Sequence, residues 1–411
     1  MQKVSLLKSE NITTKNTLLI FGIIFVAFNL RPSITAVGPL IGAIRTDTGM
    51  SNSVAGLITT LPLLAFAFLS PLAPKLAQKI GKEMTIFLAL IFLGIGLVIR
   101  SSGMVFTLFL GTAIVGLGIA FCNVILPGIV KQSFPGKVGL MTGIYTVSMG
   151  TFAGIAPGIS FPLADTLHMG WRGSLSVWLV LMGLALIVWF PQVRKRRYKE
   201  KTMANDSKKA SMLSSALAWQ VTLFMGLQSL IYFCFITWLP EMLYSQGISA
   251  ATAGWMVSIF QFSGIPANFI IPVIADRLSN QKALAIGIGA LCLIGILGLL
   301  VGDNIFLITM SIMCIGMGTG AAISLALTLM GLRVANAEQA ANLSGMAQSI
   351  GYFLAALGPF FLGFLFDTLH SWTVPLLLLI LVTIIMTVVG YGAGRNQYVL
   401  ETSEKAKPIN F

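Results

Sequence analysis

The chain has 411 residues, of which 56% are apolar and only 9% are charged. A soluble domain carries roughly 25% charged residues, so this composition excludes an ordinary soluble protein and indicates one embedded in a membrane. The net charge of +13 would suit a nucleic-acid partner, but the placement of the basic residues along the chain argues against one.

Apolar segments long enough to cross a bilayer recur twelve times along the chain. A helix needs about 20 apolar residues to cross the hydrocarbon. The strands of a membrane barrel alternate apolar and polar residues, whereas these segments are continuously apolar. The sequence therefore predicts an all-α membrane protein with twelve transmembrane helices. They are predicted to begin near Thr17, Ser53, Met84, Val105, Val138, Gly173, Ala216, Ala250, Ala283, Ile305, Asn342 and Thr373.

The basic residues are distributed unevenly between the two sides of the membrane. If the N-terminus is cytoplasmic, the external segments contain only Arg45, Arg100 and Arg172, and Arg31 lies inside the first helix. Every other Lys and Arg is then cytoplasmic, as the positive-inside rule requires. We therefore predict a multi-pass cell-membrane protein with both termini cytoplasmic, in contact with the lipid bilayer and not with nucleic acid.

A polar, basic segment divides the twelve helices into two groups of six. It reads PQVRKRRYKEKTMANDSKKASMLSS over 191–215 and is interpreted as a flexible cytoplasmic linker, with a lipid-binding or regulatory role as the alternative. The predicted organisation is an N-terminal six-helix bundle (1–191), the linker (192–215) and a C-terminal six-helix bundle (216–411).

The two groups of helices resemble each other in sequence. GMSNSVAGL at Gly49–Leu57 matches GISAATAGW at Gly247–Trp255, 198 positions later, and ADTLH at 164–168 matches FDTLH at 366–370, 202 positions later. Internal repeats of this kind are typical of transporters that bind their substrate near mid-membrane, between the repeats. The repeat therefore predicts two pseudo-symmetric bundles with a central site between them.

Patterns typical of catalytic or metal sites are missing from the sequence. The two histidines, His168 and His370, fall at equivalent positions of the repeat, and no Cys/His cluster, phosphate-binding glycine loop or paired carboxylate occurs at membrane depth. We therefore predict a transporter and not an enzyme. We expect it to need no cofactor or metal and to function as a monomer.

The segments PKLAQKIGK and PVIADRLS, at equivalent positions of the repeat, resemble the signature loop of the major facilitator superfamily. In that family the loop helps to stabilise one end state of the transport cycle. The first copy has Gln78 where the family has an aspartate, whereas the second keeps Asp276 and Arg277. The resemblance implies a gating role for Lys79, Asp276 and Arg277; the alternative is a solvated turn.

A narrower resemblance covers most of the chain. The stretches NLRPSITAVGPL, GMSNSVAGLITTLP, GIAFCNVILPGIVK and QSIGYFLAALGP are similar to those of the cyanate and 2-nitroimidazole transporter branch of that superfamily. This resemblance implies the major facilitator fold and a carrier for one small solute.

Arg31 is a permanent positive charge deep inside the first predicted helix. A central arginine costs at least about 2.5–3.5 kcal/mol and must face the bundle interior or an aqueous cavity. Pro32 frees backbone carbonyls near it, and no Asp or Glu falls in the interior of a predicted helix. Because a guanidinium suits a carboxylate, cyanate or a similar anion, Arg31 is predicted to bind the substrate. The alternative is a structural arginine tied to the free carbonyls or to a polar partner.

Neutral polar residues at membrane depth are the remaining candidates for substrate binding. Their side chains can donate hydrogen bonds to a small solute, or instead join helices to one another. Thr35 shares the helix face of Arg31, and Gln348 and Tyr352 are four residues apart on one face. The predicted substrate-binding set is Arg31, Thr35, Asn123, Tyr232, Gln261, Gln348 and Tyr352.

The sequence thus predicts a secondary transporter that uses no ATP and carries a small anionic or polar solute, such as cyanate, by alternating access. One alternative is an exporter of toxic amphiphilic compounds or drugs, which should tolerate the loss of Arg31. An alternative of another class is a membrane sensor that binds a solute and signals through the basic linker.

Overall fold

The computed structural model describes residues 17–134, 138–193, 212–335 and 337–400. In these ranges twelve helical spans are long and apolar enough to cross a membrane, which confirms the predicted all-α, twelve-helix architecture. Most of the predicted linker, the leader 1–16 and the segment 401–411 lie outside the described residues. The spans, numbered α1 to α12, are Thr17–Thr48, Asn52–Leu69, Lys82–Arg100, Val105–Ser133, Val138–Ala164, Gly170–Val193, Ala216–Ser245, Ala250–Arg277, Lys282–Val301, Ile305–Leu332, Ala337–Leu369 and Thr373–Ala393.

The predicted starts of the helices agree closely with the observed ones, with α11 as the main exception. Its apolar span begins at Asn342, as predicted, but the helix itself begins at Ala337. The added residues are mostly alanine, glutamate and glutamine, which favour helix without being apolar. A search for apolar segments therefore finds where a helix enters the hydrocarbon and misses its polar extension into water.

The segments predicted to form the signature loops are mostly helical. PKLAQKI lies within a short helix, Leu72–Ile80, which follows α2 and ends at Gly81, whose φ is +95°. PVIADR forms the last turns of α8, which runs to Arg277. The prediction of a loop was wrong here because proline is tolerated in the first turn of a helix and within a long membrane helix. Only the residues after Ile80 and after Arg277 leave the helices.

The first span is broken, whereas its counterpart in the repeat is continuous. Helix 17–29 is followed by the short helix Pro32–Thr35, the 3₁₀ turn Gly38–Leu40 and the helix Ile41–Thr48. Pro32 and Pro39 explain the breaks, because proline lacks the backbone N–H that a continuous helix requires. By contrast, α7 runs without interruption over Ala216–Ser245.

Local geometry recurs between the first half (α1–α6) and the second half (α7–α12). Ser51 caps α2 and Ser249 caps α8, each with a side-chain oxygen that accepts the backbone N–H three residues later. His168 and His370 both adopt a left-handed backbone conformation, with φ of 53° and 52°. Such angles are rare outside glycine, so their recurrence shows that the repeat extends to backbone detail.

The helix α1 ends and α2 begins at the same end of the bundle. The charge distribution predicts that this end faces outside, and it is called the outer end. There Asp367 of α11 lies against the N-terminus of α2. Its Oδ1 accepts hydrogen bonds from the backbone N–H of Asn52 at 3.0 Å and from its Nδ2 at 2.7 Å. Its Oδ2 accepts the backbone N–H of Ser53 at 2.7 Å and its hydroxyl at 2.8 Å. A carboxylate of one half thus binds the positive end of a helix of the other.

From the outer end to the middle of the bundle, α2 packs on α11 and α5 packs on α8. Glycines allow these helices to touch through their backbones: a Cβ at Gly56 would lie 2.6 Å from the Pro359 carbonyl oxygen, and one at Gly254 would lie 2.9 Å from that of Pro157. The Thr60 hydroxyl adds a buried hydrogen bond to the Ala356 carbonyl at 2.8 Å. The two halves are therefore closed against each other at the outer end.

Asp367→Asn is expected to weaken this closure, whereas Asp165→Asn is not. An amide cannot accept all four hydrogen bonds, and the loss of about 1.5 kcal/mol shifts an opening equilibrium roughly tenfold. Asp165 is the repeat equivalent of Asp367, but α8 begins with two alanines where α2 has Asn52 and Ser53.

The measurement is the distance distribution between spin labels at Phe106 and Phe306, which are 73% and 71% exposed in the first turns of α4 and α10. Asp367→Asn should enlarge the population with long distances, and Asp165→Asn should leave the distribution as in the wild type. Identical distributions for both variants would show that Asp367 does not hold the outer end closed.

Candidate functional site

Arg31 lies at the break of α1, near the middle of a span of 32 residues, and is half-buried. Its guanidinium carbon is 5.6 Å from the ring centre of Tyr232 and 5.9 Å from that of Phe233. Both distances fall within the range of cation–π attraction. Since Arg31 belongs to the first half and both rings to α7, the charge lies between the two halves.

Tyr232 is the residue that connects this charge to the rest of the second half. Its hydroxyl accepts a hydrogen bond from Gln261 Nε2 of α8 at 3.0 Å, and its ring packs against Phe260 at 5.8 Å. Tyr352 of α11 packs against Phe66 of α2, with 5.4 Å between the ring centres, so it also lies where the two halves meet. Four residues predicted from the sequence, Arg31, Tyr232, Gln261 and Tyr352, are thus brought together at the interface of the halves.

The guanidinium of Arg31 is not neutralised by the protein. Across residues 17–134, 138–193, 212–335 and 337–400, no carboxylate forms an ion pair with it, and its N–H groups donate no hydrogen bond. Cation–π contacts are worth about 0.5–2 kcal/mol, against a cost of about 2.5–3.5 kcal/mol or more for a central arginine. The rings therefore offset only part of the cost, and an anion or water is needed to solvate the charge.

Thr35, Gln348 and Asn123 are placed differently from the four central residues. Thr35 is fully buried, and its hydroxyl donates to the Arg31 carbonyl at 3.3 Å, which gives it a local role in the break of α1. Gln348 Nε2 donates to the Ser344 hydroxyl at 2.8 Å, within α11. Asn123 is half-buried in α4, and no hydrogen bond joins its side chain to another described residue.

The predicted gating residues lie away from the central site. Lys79 is in the last turn of Leu72–Ile80, and Asp276 and Arg277 end α8. All three side chains are exposed, and within the described part of the chain none of them forms an ion pair. They lie at the end of the bundle opposite to the closed outer end.

Two features near Arg31 were not predicted from the sequence. Phe233 lies beside the guanidinium, but it is one of seven aromatic residues in α7, and nothing in the sequence singles it out. Arg100 was assigned to an external segment, whereas the structure makes it the last residue of α3 and buries it completely. Its burial was not predicted, because a charge at the end of an apolar segment usually marks the membrane surface.

A membrane protein with twelve helices, two similar halves and a polar site between them belongs to the class of secondary transporters. Two solved structures share this fold: a bacterial homologue of the human lysosomal transporter Spinster, captured inward-facing and occupied, and the nucleoside transporter NupG. Their TM-scores are 0.71 and 0.74, at 14% and 12% identity, covering 92% and 91% of this chain and 96% and 99% of theirs. At these identities the likeness concerns the fold alone.

The chain belongs to the Major Facilitator Superfamily, whose family model matches residues 19–356 and 221–407. It is 51% identical to the uncharacterized transporter YycB of Bacillus subtilis (strain 168), over 94% of this chain and 96% of that protein. It is 39% identical to the 2-nitroimidazole transporter of Escherichia coli (strain K12), over 95% and 98%. It is 26% identical to the cyanate transport protein CynX of the same strain, over 84% and 88%. The predicted membership of the cyanate and 2-nitroimidazole branch is confirmed, and these relatives are transporters and not enzymes.

The geometry separates the predicted residues into two groups that mutation can distinguish. Thr35→Val should change the solute KM less than about fivefold, because the hydroxyl already donates to a backbone carbonyl in a bond worth about 1 kcal/mol. Tyr232→Leu should raise the KM about tenfold, because it removes both the ring beside Arg31 and the acceptor for Gln261. Initial rates of uptake into proteoliposomes at graded solute concentrations measure both values. A larger effect of Thr35→Val than of Tyr232→Leu would contradict this grouping.

Proposed function

We propose that this protein carries a small anionic or strongly polar solute across the cell membrane by alternating access, and that Arg31 holds the solute. The observation that supports this most directly is the half-buried guanidinium between the two halves, with no carboxylate paired to it among the described residues. A bound anion would supply the missing countercharge through paired, charge-assisted hydrogen bonds.

The second half would complete the site with neutral groups. Tyr232, Gln261 and Tyr352 can donate or accept hydrogen bonds without fixing the charge of the solute, and Gln348 and Asn123 would contribute in other stages of the cycle. The names of two relatives, a 2-nitroimidazole transporter and a cyanate transport protein, support a solute of this size and polarity.

In the proposed cycle, this structure corresponds to a state closed at the outer end. The contacts of Asp367 and the glycine-mediated packing of α2 on α11 and of α5 on α8 would break when the outer end opens. Lys79, Asp276 and Arg277, which are exposed here, would then pair across the opposite end and close it. Both termini would be cytoplasmic, in agreement with the distribution of Lys and Arg, and one chain would be sufficient for transport.

An exporter of amphiphilic compounds remains the competing function, and one observation favours it. Both halves contribute aromatic side chains to this region: Phe28, three residues before Arg31 in the chain, packs on Phe152 with 4.3 Å between ring centres, and Tyr232 and Phe233 of the second half lie beside the guanidinium. Such rings can bind flat apolar surfaces. An exporter that relies on these rings should retain its activity without Arg31.

The test is counterflow of labelled cyanate, carboxylates and neutral 2-nitroimidazole in proteoliposomes that contain wild type, Arg31→Gln or Arg31→Lys. Saturable anion counterflow is expected in the wild type. Arg31→Gln should lower it at least about a hundredfold, which corresponds to about 2.7 kcal/mol. Arg31→Lys should retain part of it, because lysine keeps the charge but not the planar donors.

The matched control is Arg172→Gln. Arg172 is also an arginine of the first half, but it is 47% exposed and bonded to Asp47 at 2.7 Å, so its replacement should leave counterflow unchanged. Neutral-solute flux that survives Arg31→Gln, together with no saturable anion flux in the wild type, would favour the exporter. Saturable binding without any flux would favour the sensor.

A further inference from the structure

Arg100 is a second buried cation close to the break of α1. It is 0% exposed at the end of α3, and its Nη1 donates to the carbonyl oxygen of Ser33 at 2.6 Å. Its Nε and Nη2 are also buried and form no hydrogen bond within the described part of the chain. Ser33 is two residues from Arg31, so the guanidinium of Arg100 contacts the same short segment that carries Arg31.

The break of α1 explains why the Ser33 carbonyl needs this partner. In a continuous helix it would accept the backbone N–H of Val37. Here Val37 donates to Ile34 at 3.3 Å and Ala36 donates to Pro32 at 2.9 Å, because the segment tightens toward a 3₁₀ turn. The carbonyl of Ser33 is left without a backbone donor inside the protein, where an unpaired acceptor is unfavourable, and Arg100 supplies the donor.

Hydrogen bonds within the segment connect Ser33 and its neighbours to the backbone of Arg31. The Arg31 carbonyl accepts the backbone N–H of Ile34 at 2.9 Å and of Thr35 at 3.0 Å, and the Thr35 hydroxyl at 3.3 Å. Three donors from the two residues that follow Ser33 therefore fix the backbone of Arg31. A displacement of Ser33 would move the base of the Arg31 side chain with it.

We propose that Arg100 is a positioning residue for anion recognition: it pins the broken segment of α1 so that Arg31 faces the site, and its unpaired charge adds to the positive potential there. This inference rests on the proposed role of Arg31. The second half has no equivalent arrangement. Its first helix, α7, is continuous, and the residue of α9 that lies 200 positions after Arg100 is Leu300.

The competing explanation is that Arg100 only stabilises the fold, and the chain contains a suitable control for it. Arg333 is also a buried arginine, 2% exposed, and it also donates to backbone carbonyls, namely Ala393 at 3.0 Å and Gly394 at 3.2 Å. It follows α10, at the end of the second half opposite to the outer end. Its replacement should lower stability without affecting the site.

The first arm measures the potential at the site without relying on any solute. A cysteine is introduced by Arg31→Cys, and its rates of modification by an anionic and a cationic methanethiosulfonate are compared. Adding Arg100→Leu should lower the ratio of anionic to cationic rates by on the order of tenfold, since a nearby buried charge acts through an effective dielectric well below that of water. Adding Arg333→Leu should leave the ratio within about twofold.

The second arm measures the KM of labelled cyanate and the thermal midpoint for the same two replacements in a chain that retains Arg31. Arg100→Leu should raise the KM more than about tenfold, and Arg100→Lys, which keeps the charge and a donor, should recover part of it. Arg333→Leu should lower the midpoint and leave the KM unchanged. In an Arg31→Gln background, Arg100→Leu should add little, because residues that act through one another are not additive.

The outcomes separate this inference from the function on which it rests. An unaltered ratio of modification rates in folded Arg100→Leu, or equal effects of Arg100→Leu and Arg333→Leu, would overturn the positioning role. If Arg100→Leu does not fold, Arg100→Lys and Arg100→Gln are compared instead. A ratio of anionic to cationic modification rates that is kept in Arg100→Lys and lowered in Arg100→Gln supports the proposal, and equal ratios in the two variants overturn it. Anion flux that is insensitive to Arg31→Gln overturns the proposed function instead, whatever the ratio shows.

Discussion

A permanent positive charge at the centre of a membrane protein is the constraint around which this structure is arranged. Lipid supplies no countercharge at that depth. Arg31 must therefore be stabilised inside the bundle, by groups of the protein or by what occupies the space between the halves. The chain interrupts its first helix at this residue, places two aromatic rings beside the guanidinium and omits any paired carboxylate from the described residues. The aromatic rings lower the cost of the charge, and the lack of a paired carboxylate leaves it without a countercharge.

The two halves share their fold but contribute different chemistry to the centre. The first half provides the broken helix and two buried or half-buried arginines, Arg31 and Arg100. The second half provides a continuous α7, a tyrosine and glutamine joined by a hydrogen bond, and the carboxylate of Asp367 that reaches across the outer end. The two halves share backbone detail down to the unusual φ of two histidines, and they differ in the side chains that they place at the centre.

The transmembrane helices were predictable because their signal is local and strong. Twenty or so apolar residues in a row identify a span without any knowledge of its neighbours, and the repeat identified the halves. Arg31 was also recognisable, since a charge inside an apolar run is conspicuous. These features depend on composition within a single segment.

Features that depend on pairs of distant residues were not predictable. Nothing in α11 indicates that Asp367 meets residues 52 and 53, and nothing around Arg100 indicates that it turns inward to a carbonyl of α1. Thr35 shows the same limit: the sequence places it on the face of Arg31, but does not indicate that its hydroxyl donates to the Arg31 carbonyl. Periodicity gives the direction of a side chain and not the partner that it meets.

The close approach of helix backbones at the outer end has a consequence for how the molecule moves. Where Gly56 meets the carbonyl of Pro359, and Gly254 that of Pro157, backbone lies directly against backbone, without a long side chain at the point of contact that could rotate and give way gradually. Packed surfaces of this kind separate as rigid faces, and their contacts are lost together. The outer end should therefore open in a single cooperative step. A side chain added at either glycine would act as a permanent wedge that holds the two faces apart.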